Sequence, residues 1–189
     1  MKSALLTTCL LLLASCASDD STYLFAPSNV RMEARQMVAD GYWDCPAGLT
    51  GEHLIIVDTE LQQAKYYIAG RQVGLSTISS GRAGHGTPRG SFSIISKDKD
   101  HRSSTYGSIV DANGNTMIAE YTVGQPIPKG GRYKGAEMNF GMQITRTGIW
   151  MHEGIVTSAP ESHGCIRLPR KMAEIFFNNT PVGAKVIIK

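Results

Sequence analysis

The chain has 189 residues, 42% of them hydrophobic, with 20 glycines and a formal charge of +3. That length and apolar content suit one core-forming domain with a short leader, and many glycines between short apolar runs favour a β-rich fold over a helical bundle. The charge is small and no Lys/Arg cluster or aromatic stacking motif accompanies it, so nucleic acid is not an expected partner, although a mildly basic chain suits an anionic cell wall.

Met1-Lys2-Ser3 is a short positive start, and residues 4–13 form an apolar run containing Leu5, Leu6, Leu10, Leu11, Leu12 and Leu13. Small Ala14 and Ser15 follow. This is the layout of a secretory signal, too short to span a bilayer as a mature helix. Leu13-Ala14-Ser15-Cys16 resembles the bacterial lipobox, in which the cysteine is lipidated and becomes the first residue of the processed chain; cleavage by ordinary signal peptidase is the alternative. Several acyl chains would anchor such a chain stably, each buried methylene contributing ~0.8 kcal/mol. Ala17 stands where an aspartate would resemble the inner-membrane retention signal, so the expected location is the periplasm, anchored to the outer membrane. Polar residues 17–27 read as a tether. Ser28 can cap a helix running to about Asp40, with Val30, Ala34, Met37 and Val38 on its apolar face and Gly41 as its stop. The expected division is a signal at 1–15, a lipidated tether and N-terminal helix at 16–50, and one domain at 51–189.

From Gly51 the texture becomes that of strands. Residues 53–57 and 64–69 read as strands, Gly70-Arg71 as a hairpin turn, and 72–79 as the returning strand. A glycine-rich loop follows at 81–90, then a strand at 91–96. Residues 97–135 are polar and punctuated by Gly and Pro; so long a loop is either functional or contains short strands. Residues 141–145 and 148–152 read as strands, 186–189 as a closing strand, and 169–178 as a helix with Met172, Ile175 and Phe176 on one face.

The chemistry concentrates between Met151 and Pro169. A cysteine needs a base or a cation to become thiolate at neutral pH, and a histidine supplies both. Cys165 is preceded by Ser162-His163-Gly164, and His152 ends a predicted strand upstream. Gly164 permits a tight turn that can aim backbone N–H groups at an oxyanion. Arg167 lies two positions beyond Cys165, on the same face if the segment is extended, where a guanidinium can bind a substrate carboxylate through paired hydrogen bonds. Of the four cysteines, Cys9 leaves with the signal, Cys16 carries lipid, and Cys45 and Cys165 remain. A bridge between those two would consume the nucleophile, so both are expected to be free. A zinc site built from His152, His163 and Cys165 is disfavoured, because Glu153 is followed by Gly154-Ile155-Val156 and no fourth ligand is positioned. The 81–86 loop is not a phosphate loop, lacking Gly-Lys-Ser/Thr and a following helix.

Ser162-His163-Gly164-Cys165-Ile166-Arg167, preceded by a histidine at a strand end, resembles the L,D-transpeptidase catalytic (YkuD-like) domain. Thr87-Pro88-Arg89-Gly90 matches that family's Thr-Pro-x-Gly turn, and residues 97–103 with Tyr106-Gly107 resemble a subgroup of it. The resemblance covers roughly residues 51–189. It implies a mainly β, β-sandwich-like catalytic domain with a few short helices and the Cys and His in a cleft. By the same resemblance, Cys165 attacks a peptidoglycan tetrapeptide stem at the diaminopimelate L-centre and releases D-alanine. The thioester then passes to an amine of another stem, an outer-membrane lipoprotein or a free D-amino acid. His152 is the base by position. His163 and Gly164 shape the oxyanion hole and Ser162 supports the turn. Ser162, Arg167, Tyr106 and His101 are the candidate substrate contacts. Acylation of Cys165 by carbapenems is implied, with no metal or organic cofactor; separately from the resemblance, a monomer is expected.

The spacing from His152 to Cys165 is shorter than in the most familiar members, and residues 154–160 look like the family's compact loop. That leaves the choice of acceptor open, and with it the choice between His152 and His163 as base. Two other functions stay open: the same nucleophile passing its acyl group to water as a carboxypeptidase or hydrolase, and an inactive wall-binding lipoprotein.

Overall fold

The computed structural model describes residues 40–189. The expected signal, the lipidation at Cys16, the tether and the helix from Ser28 lie outside the described residues. Six strands make the largest sheet: β1 (Gly41–Trp43), β2 (His53–Asp58), β3 (Gln63–Ile68), β4 (Arg71–Thr77), β5 (Gly90–Ser93) and β13 (Lys185–Ile188). Their order is β1-β4-β3-β2-β13-β5. A second sheet has β6 (Ser96–Asp98), β10 (Gly141–Gln143), β11 (Trp150–Glu153) and β12 (Ile166–Leu168) in the order β12-β11-β10-β6. A third has β7 (Arg102–Val110), β8 (Thr116–Thr122) and β9 (Arg132–Glu137) in the order β8-β7-β9. Helix α1 (Arg170–Asn179) follows β12.

The two larger sheets form the sandwich. In β3 every second residue is buried, as period-2 alternation requires of a sheet with one covered face. Ile55, Val57 and Tyr66 from the six-stranded sheet share one buried cluster with Met142, Met151, Ile166 and Leu168 from the four-stranded sheet. Met172 and Phe176 of α1 join it, with Ile175 partly buried beside them. Full burial of each such side chain is worth roughly 1.5–3 kcal/mol. Lys97 closes the C-terminal end of α1: its ammonium donates to the carbonyls of Phe177 at 2.5 Å and Thr180 at 2.7 Å, a cation where the helix dipole is negative.

Two local expectations are revised and a third is resolved. The β3–β4 hairpin turns at Ala69-Gly70 rather than Gly70-Arg71: both have positive φ (49° and 77°), as a tight two-residue hairpin turn requires, and Arg71 already pairs with Ile68. The strand expected at 91–96 is two strands in different sheets. The Ile94 amide donates to Ala184 O beside β13, and the Ile95 amide donates to Gln143 O of β10. The chain thus crosses from one layer of the sandwich to the other between two consecutive residues. Finally, of the two readings left open for 97–135, the one with strands holds: most of it is the three-stranded sheet. Gly107 pairs with Gly135 there, and the backbones approach so closely that a Cβ on Gly107 would lie 2.2 Å from Lys134 O.

Candidate active site

Strands β11 and β12 run parallel, with His152 opposite Arg167 and Met151 opposite Ile166. Met151 and Ile166 point into the core, so His152 and Arg167 project together from the other face, joined by Cys165 two residues before Arg167. Gly154 leaves room for the arginine; a Cβ there would lie 2.9 Å from Arg167 Cγ. Cys165, His152, His163, Arg167, Tyr106, His101 and Ser162 all line one cleft of about 830 Å³. One of its walls is the three-stranded sheet, through residues 103–106 and 136–137.

The turn that carries Cys165 is tied from three sides. Ser162 Oγ donates to Cys165 O at 2.5 Å and accepts from the Gly164 amide at 3.0 Å. Ser162 is almost fully buried, so its hydroxyl serves the turn. Gly164 has φ +112°, a left-handed conformation open to glycine and costly for other residues. Thr87 of the Thr-Pro-x-Gly turn accepts from the Gly81 amide at 2.8 Å and donates to Gly164 O at 2.9 Å. Residues 79–82 pair with the same turn: Ser79 exchanges both backbone hydrogen bonds with Arg167, and the Arg82 amide donates to Ser162 O.

The two candidate bases differ in what their ring nitrogens do. His152 Nδ1 lies 2.6 Å from Glu153 O, a carbonyl that only accepts, so Nδ1 carries the hydrogen and Nε2 holds the available lone pair. Burial pushes the His152 pKa down to about 4, helped by nearby Arg167 and His101, and the ring is neutral at pH 7. His163 Nε2 lies 2.7 Å from the Arg82 guanidinium, which only donates, so that lone pair is engaged. Its pKa is lowered by partial burial and then by Arg82. The His163 ring stacks on Tyr106 of β7, centroids 4.3 Å apart.

Cys165 is a partly accessible free thiol. Burial pushes its pKa up, against the Trp150 amide and the Arg167 charge. The thiol hydrogen bond goes to Gly148 O at 3.7 Å, so the resting pair is thiol and neutral imidazole rather than an ion pair. Cys45, also free, packs against the core beside Trp43. His101 stacks on Trp150, with Nδ1 3.1 Å from Asp98 Oδ2. Among the described residues no group of three or more His, Cys, Asp or Glu is arranged to hold a metal ion.

Sequence reasoning missed Arg82, Asp98 and Trp150. Trp150 was within reach, since it lies two residues before His152 and alternation puts both on one face. Arg82 meets His163 across 81 positions, which no local pattern reveals.

A two-sheet β-sandwich that presents cysteine, histidine and arginine to one cleft defines the class of domain to which the chain is compared. The chain belongs to the L,D-transpeptidase catalytic domain family, whose model matches residues 52–188. A curated relative, the probable L,D-transpeptidase 3 of Mycobacterium tuberculosis, is 29% identical over 126 residues, covering 61% of this chain and 39% of its own. This chain therefore spans about two-fifths of that relative's length. Two solved structures share the fold. An L,D-transpeptidase from Mycobacterium smegmatis has a TM-score of 0.56 at 22% identity, covering 74% of this chain and 59% of its own. L,D-transpeptidase 3 from Mycobacterium tuberculosis in complex with a faropenem-derived adduct has 0.53 at 22%, covering 72% and 60%.

Proposed function

We propose that the chain is a periplasmic L,D-transpeptidase that uses Cys165 as nucleophile and His152 as base. The observation that carries this reading is a buried, neutral His152 with its Nε2 lone pair available, on the same cleft-facing surface as a partly accessible Cys165 thiol. His163, the other candidate base, has its Nε2 held by Arg82.

On this reading a peptidoglycan tetrapeptide stem enters the cleft and its carboxylate meets Arg167. The thiol turns from Gly148 O toward His152, which takes its proton as sulfur attacks the carbonyl carbon. The Cys165 amide donates to the developing oxyanion, and the turn held by Ser162, Gly164 and Thr87 keeps that donor in place. The Gly164 amide already donates to Ser162 Oγ, so its part is to shape the turn. The His152 imidazolium returns the proton to the departing D-alanine amine, leaving a thioester. An amine acceptor then forms the new amide and frees the thiol. Tyr106 and His163 form a wall beside the scissile bond. The leader is proposed to deliver the chain across the inner membrane and leave it lipid-anchored through Cys16, with residues 51–189 as the catalytic domain.

The test is intact-protein mass spectrometry after meropenem. Wild type gains one covalent adduct, and Cys165→Ala gains none. Tetrapeptide muropeptides with an amine then yield cross-linked or exchanged products. Only hydrolysed stems would reassign the chain as a carboxypeptidase; an unmodified wild-type mass would leave a wall-binding protein.

A further inference from the structure

A second imidazole shares the cleft with His152. The His101 ring lies flat on the Trp150 indole, centroids 3.8 Å apart and planes 19° apart. Gly141 makes this possible: a Cβ there would lie 3.1 Å from His101 Cβ and 3.2 Å from Trp150 Cε3. Trp150 and His152 occupy the same face of β11, so the stack sets His101 beside the reacting pair. Asp98 Oδ2 lies 3.1 Å from His101 Nδ1. A carboxylate only accepts, so Nδ1 carries a hydrogen, and in the neutral ring the lone pair is on Nε2. The side chain is 22% exposed and lines the cleft. Its charged surroundings are Asp98, Lys99, Asp100 and Arg102 on its own segment, Glu137 from β9 paired with Arg102, Glu153 from β11 paired with Arg170, and His152 and Arg167 across the cleft.

The reaction has a place for a second base. This step rests on the transpeptidase reading above. Acylation is proton-neutral, because the thiol proton ends on the departing amine. Transfer is not. An acceptor amine arrives as an ammonium, loses one proton before its lone pair can attack, and loses another as the amide forms. His152 takes the second and returns it to the sulfur when the C–S bond breaks. We propose that His101, oriented by Asp98, takes the first proton through Nε2 and passes it to solvent, making the cleft selective for protonated amines as acyl acceptors. The balance closes: thioester and ammonium give amide, thiol and one released proton. Water, or an amine already neutral, needs no such step.

The test presents the full chain, a tetrapeptide donor, and two competing acceptors at pH 7: D-methionine, an ammonium there, and hydroxylamine, which is neutral. Products are read by mass. In His101→Gln the ratio of D-methionine product to hydroxamate is expected to fall about a hundredfold, the low end of what a general base contributes, and to recover toward wild type near pH 9.5, where the amine loses its own proton. Asp98→Asn, which keeps the stacked ring, is expected to lower the same ratio by a smaller factor than His101→Gln. An unchanged ratio in both variants overturns the proposal and leaves transpeptidation standing, as does a fall that alkaline pH does not rescue, since lost packing would ignore acceptor protonation. A wild type that forms no acyl species on Cys165 takes down both readings together.

Discussion

The sandwich and the three-stranded sheet are both antiparallel-rich β structure, yet different forces hold them. The sandwich buries Ile55, Tyr66, Met142, Ile166 and Phe176 completely, and its strands alternate into one shared core. The three-stranded sheet adds none of its side chains to that core cluster. Ile109, Val110 and Tyr121 are buried within it, but Met117, Val123 and Ile127 remain exposed. It is held by backbone proximity and by tyrosine: the Tyr133 hydroxyl lies 2.8 Å from the carbonyls of both Ser103 and Tyr106. The lesson is a division of labour. The sandwich fixes Cys165, His152 and Arg167, and the lesser sheet supplies a cleft wall whose side chains lie outside the shared core.

The sharpest way to break that division is to damage each side separately. Phe176→Ala leaves a void where α1 packs on Tyr66, ring centroids 5.1 Å apart, and should cost about 3–5 kcal/mol in urea denaturation. An exposed substitution on the other sheet, Met117→Ser, should stay within about 0.5 kcal/mol. A comparable loss from both would mean that the two regions unfold as one body with shared energetics.

The second test is acid. His152 is neutral in the folded chain with a pKa of about 4, against 6.5 when unfolded. Between those values the unfolded chain binds a proton that the folded chain refuses, so stability falls as pH drops from about 6.5 to about 4. At 1.36 kcal/mol per pKa unit the full shift amounts to roughly 3 kcal/mol. Urea midpoints across that window should show the loss in wild type and a flatter profile in His152→Gln. An equal slope in the two would move the acid sensitivity away from the active-site strand.

How much of this was legible in the sequence follows the same division. Cys165 and Arg167 could be placed on one face because an extended segment alternates, and β12 buries Ile166 and Leu168 on the opposite face; that His152 joins them follows from the parallel pairing of β11 with β12. The sheet at 102–137 could not be placed, because a strand such as Arg-Ser-Ser-Thr-Tyr-Gly-Ser-Ile-Val alternates nothing apolar until its end. The Gly107–Gly135 pair reads as loop punctuation in sequence and as close strand contact in space. The crossing at Ile94-Ile95 was hidden for another reason: two adjacent isoleucines look like one strand, and only their separate backbone partners split them. The hydrogen bond from Arg82 that engages one candidate base is a tertiary contact with no local signature.

A third, smaller perturbation sharpens the comparison inside the lesser sheet. A methyl group at Gly135 would lie 2.2 Å from Ser103 O, so Gly135→Ala must part β7 from β9 at a cost of about 1–3 kcal/mol. Hydrogen exchange should quicken for amides in 102–137 and stay near wild type in β2, β3 and β13. Quickening in those central strands as well would show that the wall and the sandwich open together.

The smallest effect is the most informative about function. Tyr106 is the point where that wall touches the Cys165 turn, through its stack on His163. Aromatic pairs of this kind contribute about 0.5–1.5 kcal/mol beyond buried area. Tyr106→Ala should therefore leave global stability almost unchanged and weaken only the closure of the cleft. On the proposed function a stem peptide would use that wall along its length, whereas a small carbapenem would reach the sulfur with few wall contacts. KM for the tetrapeptide should rise about fivefold, the equivalent of about 1 kcal/mol, while the meropenem adduct on Cys165 still forms. Tyr106→Phe keeps the ring and should restore the wild-type KM. If phenylalanine fails to rescue, the hydroxyl rather than the stack is what the substrate meets, and the wall acts by hydrogen bonding instead of by closing on His163.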